Sequence, residues 1–253
     1  MNIDVRRSEY SEVEAMRGLY RHDANCQIIH DSALSRGIAD PYLILVNGRI
    51  AGYGGVWNKY DPGRVMEFWV LPSLRSSAGA IFCELLAASG ATHVEAQTNM
   101  ALMLTMLYDF ATNIVEENIL FEDAFTSSLD CPAVLRRATP ADGLSDGQWV
   151  LDADRAVVAA GGILFHYNPP FGDIYMDVPE HARRQGYGSY LVQELKRVCY
   201  ESGHRPAARC NPSNHASRRT LEKAGLLPCG RLLAGAVKGE SNEDAAPRAG
   251  KQT

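Results

Sequence analysis

The stretch Ile174-Tyr175-Met176-Asp177-Val178-Pro179-Glu180-His181-Ala182-Arg183-Arg184-Gln185-Gly186-Tyr187-Gly188-Ser189 combines residue types suited to holding a polyphosphate. The apolar alternation of a strand ends at Val178, and Pro179 denies the ladder another donor. A short loop then passes through Gly186 and Gly188 into a helix. Positions without side chains let backbone N–H groups come close to a ligand. The first turn of the helix offers N–H groups without internal partners, at the positive end of its dipole. Arg183 and Arg184 add positive charge. Two common phosphate loops do not fit. The dinucleotide fingerprint G-x-G-x-x-G would need glycine where Leu191 stands, and the Walker loop G-x-x-x-x-G-K-[ST] is absent.

A third pattern matches. Arg183-Arg184-Gln185-Gly186-Tyr187-Gly188 resembles the Arg/Gln-x-x-Gly-x-Gly/Ala loop of the GNAT superfamily of acetyl-CoA-dependent N-acetyltransferases. Downstream, the run from Asn211 to Leu226 resembles that superfamily's second signature, an Asn-x-Ala/Ser helix leading into Glu222-Lys223-Ala224-Gly225-Leu226. The two signatures stand in the right order, about one strand apart. The resemblance implies that the strand through Met176, Asp177 and Val178 pairs with a pantetheine arm. It implies that Arg183, Arg184, Gln185, Gly186, Tyr187, Gly188 and Ser189 cradle a pyrophosphate, and that Asn214 reaches the sulfur end. It also implies splaying of this strand from Ala207–Cys210 to admit a thioester. Acetyl-CoA is then the co-substrate, no metal is involved, and the acceptor is a small-molecule or peptide amine. The amine attacks directly in a ternary complex. One departure stands out: where many members carry a tyrosine acid, before the Glu-Lys pair, this chain has Leu221. A non-catalytic acyl-CoA sensor or scaffold is the competing reading, and an unrelated nucleotide-binding α/β domain is a third.

The base is sought on the same strand. Alternation puts Asp173, Tyr175 and Asp177 on one face, and Glu180 and His181 follow. Asp177 is taken as the catalytic candidate, although each of these is as readily a solvated or capping residue. His166 and Tyr167, before the turn-forming Asn168-Pro169-Pro170, are further cleft candidates.

These residues need a scaffold. In the second half, strands are expected at Val134–Arg137, Gln148–Leu151, Val157–Phe165, Asp173–Val178 and Pro206–Cys210. A helix ends at Tyr200, another covers Asn214–Ala224, and Leu226–Val237 is terminal strand. On the first of these helices Leu191, Val192, Leu195, Val198 and Cys199 face the core, while Gln193, Glu194, Lys196 and Arg197 are expected to face water. The first half repeats this grammar. A strand at Ile3–Val5 precedes a helix over Ser11–Arg21, opened by a Ser11/Glu14 capping box. Tyr42–Val46 and Ile50–Trp57 flank the hairpin turn Asn47-Gly48. Strand Met66–Leu71, helix Ala78–Ala88, strand Thr92–Ala96 and helix Ala101–Phe110 follow. Trp69-Val70-Leu71-Pro72 lies opposite Met176-Asp177-Val178-Pro179 in the comparison of the halves.

The fold expected is therefore α/β (α+β): two tandem GNAT-like domains, each a mixed, mostly antiparallel sheet flanked by helices. The boundaries are 1–130 for a degenerate domain serving as acceptor-side wall, 131–238 for the acyl-CoA-binding domain, and 239–253 for a disordered tail. The first-half loop, Leu74 to Ala80, lacks the first glycine, so that half is expected to bind CoA poorly. Tyr108 reads as a core aromatic, and His22, Asp23 and His30 read as loop polar residues, the alternative being that they line an acceptor site.

Composition sets the outer limits. With 46% apolar and 22% charged residues, the chain reads as a soluble globular protein. A net charge of −5 disfavours nucleic acid as a partner. The six cysteines include no C-x-x-C pair, which fits a reducing, cytoplasmic compartment. Charges in Met1–Arg7 argue against a signal peptide, and no apolar run is long enough for a membrane span. A homodimer is compatible with all of this.

Overall fold

The computed structural model describes residues 1–23, 32–144, 149–166 and 169–239. It contains β1 (Ile3–Arg7), α1 (Tyr10–Asp23), β2 (Ala39–Val46), β3 (Arg49–Trp57), β4 (Arg64–Val70), α2 (Ala78–Ser89), β5 (His93–Gln97), α3 (Ala101–Phe110) and β6 (Ala111–Asp123). The second half holds β7 (Val134–Arg137), β8 (Trp149–Ala153), β9 (Ala156–Leu164), β10 (Phe171–Asp177), α4 (Tyr187–Glu201), β11 (Arg205–Cys210), α5 (His215–Lys223) and β12 (Leu226–Val237). The expected elements are all present, displaced at their ends by up to three residues, the most at β2, which starts at Ala39 rather than Tyr42. The Asn47-Gly48 turn has φ of 50° and 75° at its two residues, as a tight hairpin requires.

All the strands form one sheet, in the order β1-β2-β3-β4-β5-β12-β6-β11-β10-β9-β8-β7. Only β4–β5 and β10–β11 are parallel pairs; the other junctions are antiparallel. The order reads as two equal six-strand sets back to back. Each set borrows its last strand from the other half of the chain. β6 follows α3 but pairs with β11, and β12 follows α5 but pairs with β5. Along the middle, β6 and β12 pair with each other from Leu226↔Asp123 to Val237↔Ala111. The sheet therefore runs unbroken across residue 130.

The repeat is visible in the register. Gly52 on β3 faces Val70, and Gly161 on β9 faces Met176. At both glycines an added Cβ would meet a carbonyl oxygen of the facing strand, at 2.1 Å from Trp69 and 2.4 Å from Tyr175. Counting back three residues puts Glu67 in the place of Asp173. Sequence comparison had set Trp69 against Met176, one residue off; the second half carries one more residue before its proline.

Apolar side chains fill both faces of the first half. Phe68, Val70, Phe82, Leu85, Met103 and Leu107 pack under α2 and α3, and Val13, Tyr20, Leu43, Tyr53 and Trp69 pack under α1. In the second half Ile174, Leu191, Leu195, Ala208 and Leu221 form the core between the sheet, α4 and α5.

Three local expectations are corrected. Helix α1 begins at Tyr10, so Ser11 lies inside it. The carboxylate of Glu12 does the capping instead, accepting from the Glu9 N–H at 3.2 Å and from Arg6 at 2.7 Å. Lys196 and Gln193 do not face water. Lys196 is buried, pairs with Asp123 at 2.5 Å and donates to the carbonyls of Phe125 and Ala224. Gln193 accepts from the Ser127 hydroxyl and the Leu129 N–H. Together they tie the linker after β6 to α4. Tyr108 is 58% exposed and is not a core aromatic. The charges Glu194 and Arg197 pair with each other across one turn of α4, as surface charges do.

Candidate functional site

The strand carrying the motif separates from its neighbour. β10 pairs with β11 from Phe171↔Arg205 to Ile174↔Ala208 and no further, although β10 runs on to Asp177 and β11 to Cys210. Both are held on their outer edges, β10 by β9 through Asp177↔Ala160 and β11 by β6 through Cys210↔Ile119. The result is a wedge-shaped opening beside Tyr175, Met176 and Asp177, whose backbone on that side has no partner strand.

A cavity of about 880 Å³ adjoins the opening. It is lined by Met176 and Asp177 of β10, by Val178, Arg183, Arg184, Gly186, Tyr187, Gly188 and Ser189 of the following loop and helix start, and by Asn214 at the head of α5. Gln185 is the one member of the sequence-derived set outside the lining; its side chain donates to the His181 carbonyl at 3.2 Å. The loop is shaped from within. Arg183 Nε donates to the Val178 carbonyl at 2.9 Å, closing the turn after Pro179. Arg184 and Gly186 have φ of 63° and 90°, left-handed values that curl backbone N–H groups toward one concavity. The two glycines serve different needs. A Cβ on Gly186 would touch nothing, so the backbone angle demands glycine there. A Cβ on Gly188 would lie 3.2 Å from Thr220 and 3.3 Å from Val178, so that glycine brings α4 close to α5.

The other wall is α5. Asn214 caps it, accepting from the Ser217 N–H at 3.0 Å. Its amide nitrogen stays available to a ligand. Ala216, Ser217, Arg219, Thr220 and Lys223 also line the cavity. Sequence reading did not single these out, though the three-to-four-residue spacing of Ala216, Arg219, Thr220 and Lys223 marks one helix face. Four cations, Arg183, Arg184, Arg219 and Lys223, thus surround the cavity, against Asp177 and Glu180. Leu221 points the other way and is 2% exposed, in the core.

On the sheet face away from α4 the alternation behaves as expected. Asp173 is 4% exposed, whereas Tyr175 and Asp177 reach solvent. Asp173 sits on the last paired stretch before the wedge, opposite Ala207. Its Oδ2 lies 3.2 Å from Arg209 Nε. Burial pushes the Asp173 carboxyl up to about 6, and Arg209 partly offsets that. His166 is held below the usual imidazole range by burial, then by Arg36 and Arg209. Glu180 and His181 lie in a 3-10 turn at the exposed rim. Asp23 is occupied elsewhere, accepting from Trp69 Nε1 and Arg75. Tyr167, Asn168 and His30 lie outside the described residues, as do residues 240–253. Among the described residues no His, Cys, Asp and Glu cluster is arranged to hold a metal ion. No helix there is long and apolar enough to cross a membrane.

Comparisons with known proteins agree with this geometry. Residues 117–226 match the model of the acetyltransferase (GNAT) family, a span that starts within β6 and ends at the first residue of β12. No curated protein sequence matches the chain. Among solved structures, a GNAT-family acetyltransferase from Colwellia psychrerythraea superposes with a TM-score of 0.76 at 13% identity, covering 94% of this chain and 100% of its own. A tandem GNAT protein from the clavulanic acid biosynthesis pathway gives 0.60 at 13% identity, over 95% and 100%. A GCN5-related N-acetyltransferase from Sphaerobacter thermophilus gives 0.57 at 13% identity, over 94% and 96%. At these identities the likeness is one of fold.

Proposed function

We propose that this chain, whose residues 117–226 match the GNAT acetyltransferase family model, transfers an acetyl group from acetyl-CoA to a primary amine within a ternary complex. The observation that carries the reading is the wedge between β10 and β11 leading into a cavity rimmed by a left-handed glycine loop, a helix N-terminus and four cations. A diphosphate matches the loop amides and the dipole of α4.

Residues of this chain supply the rest of the chemistry. Unpaired N–H groups along Tyr175–Asp177 are placed to hold the thioester carbonyl and the negative charge that grows on it. The amine nitrogen bonds to the acyl carbon, the carbon–sulfur bond breaks, and sulfur departs with the electron pair as a thiolate, which takes a proton from solvent. The proton lost by nitrogen passes to a carboxylate, directly or through water. Of the two β10 acids, Asp173 is the better placed: it is buried beside the wedge, and that burial pushes its carboxyl up to about 6. Asp177 stands at the exposed rim of the cavity. The first half, whose opening between β4 and β5 is packed with Phe68, Met103 and Leu107, serves as the acceptor-side wall.

The buried Leu221 favours a second reading, a sensor that binds acyl-CoA without turnover. One pair of experiments separates them. Ala216 is exposed and lines the cavity, so Ala216→Trp should fill it at little cost to the fold. Acetyl-CoA should raise the Tm of the native chain and leave the variant unmoved. Thiol release from acetyl-CoA with benzylamine, spermidine, lysine ethyl ester or a short peptide then distinguishes enzyme from sensor. An undiminished Tm shift in Ala216→Trp would place the ligand elsewhere.

A further inference from the structure

The pairing of β10 with β11 sets one arginine against the buried acid at the point where the strands part. Asp173 faces Ala207 in the register, and Arg209, two residues on, lies on the same face of the sheet. Its backbone cannot drift, because β11 remains paired with β6 through Arg209↔Leu120. Among the described residues, Arg209 is the ion-pair partner of Asp173, touching one of its two oxygens. The corresponding acid of the first half is treated differently. Glu67 receives two bonds from Arg17, at 3.1 and 2.8 Å, and a third from the Tyr53 hydroxyl at 2.9 Å. A carboxylate held by three donors is a structural element; one held by a single edge contact keeps an oxygen for a proton.

We propose that Arg209 is a positioning residue for acyl transfer, fixing the Asp173 carboxylate beside the wedge and keeping it ionised to receive the amine proton. The proposal rests on Asp173 being the base. The groups around Asp173 are Arg209 from β11, Tyr175 from its own strand, Glu122 from β6 in the same cross-strand row, and His166 at the end of β9. Arg36 from the first half approaches His166 and adds to the positive side. Arg209 is the cation in direct contact with the carboxylate, so its removal leaves burial unopposed and the carboxyl must protonate more readily.

The test titrates Asp173 in the full chain by carbon NMR of carboxyl-labelled aspartate, with Asp173→Asn assigning the signal. The same proteins are assayed for acetyl-CoA thiol release, with the fastest amine of the panel above, as a function of pH. Arg209→Met should raise the Asp173 midpoint by about one pH unit. It should move the acid limb of kcat/KM upward equally, which is roughly a tenfold loss below the midpoint that recovers at high pH. Arg209→Lys, which keeps the charge, should return the midpoint and limb toward native values; it also covers the case in which the methionine variant does not fold. If Asp173→Asn abolishes turnover while neither arginine variant moves midpoint or limb, Arg209 is only structural and the proposal fails. If Asp173→Asn turns over normally with its acid limb in place, the base reading itself fails, whatever Arg209 does.

Discussion

The two halves of this chain fold the same way and treat the same place in opposite manners. In each, a parallel pair of strands begins together and then parts: β4 and β5 share only Arg64↔His93 and Val65↔Val94, as β10 and β11 share only their first residues. In the first half that opening is filled. Helix α3 lies against β4 as well as β5, and Phe68, Phe82, Met103 and Leu107 close the space. Phe82 stacks edge-on against Phe68 at 4.9 Å and tilts against Phe110 at 5.2 Å. In the second half α5 packs on α4, β11 and β12 instead, and the space beside β10 stays a cavity. The loops differ to match. The first half runs through a 3-10 turn, Pro72–Ser77, straight into α2, with Ser77 at φ −106° where Gly186 has φ 90°. One duplicated unit thus yields a packed module and an open one by exchanging a helix face and a glycine loop. The strands that join them are shared, so neither half completes its sheet alone.

The sharpest contrast lies in the paired acids, and the largest expected effect tests it. Arg17 and Glu67 are both about 1% exposed and make a bidentate pair. Burial, and then the Glu67 carboxylate, push the Tyr53 hydroxyl well up, so it stays protonated and donates. Arg17→Met keeps the volume and strands the carboxylate. Urea unfolding should show a loss of about 3–5 kcal/mol, with most of it recovered when Glu67→Leu is added. At the other acid, Arg209→Met should cost far less at pH 7, because Asp173 can take up a proton instead. Equal losses at the two sites would mean that Asp173 is as structural as Glu67.

A smaller effect follows from the direction of the Asp173 shift. Its folded value, about 6, lies above the unfolded carboxylate value. The folded state therefore holds the proton more tightly. The stability it contributes is present below about pH 4 and is lost as pH rises through about 6. Asp173→Asn cannot ionise and escapes that loss. Relative to the native chain, the variant should gain about 2 kcal/mol between pH 4 and pH 8. A difference that does not vary with pH would show that Asp173 titrates normally and is no candidate for a base.

Much of this contrast was legible in the residues and some was not. The glycine loop, Asn214 and the strand leading to Pro179 announce themselves because backbone angles and helix caps restrict residue type. Helix α3 and strand β12 could be read to the residue from apolar periodicity and flanking breakers. The exchange of β6 and β12 could not, since pairing partners are chosen by three-dimensional packing rather than by the composition of either strand. Lys196 looked like a surface charge by spacing; only the approach of the linker at Phe125 and of the α5 end at Ala224 gives its ammonium the acceptors that let it be buried. The readiness of Asp173 was hidden for the same reason. Its composition and position match those of Asp177 on the same face, and the difference is made by what covers it.

The smallest expected effect bears on what closes the first half. Its loop lacks the first glycine, and its opening is also filled, so either feature alone would account for the poor CoA binding expected of this half. Replacing residues 71–80 by the stretch 178–189 would install the glycine loop on α2 and leave Phe68, Met103 and Leu107 where they are. The filled opening should then decide: calorimetric titration with acetyl-CoA should still give one site per chain, with the Tm shifted only by the strain of the graft. Those core side chains leave no path for a pantetheine arm between β4 and β5, and opening one would cost about 2–5 kcal/mol for each large residue truncated. A stoichiometry of two would assign the difference between the halves to the loop and leave α3 as packing that yields on binding.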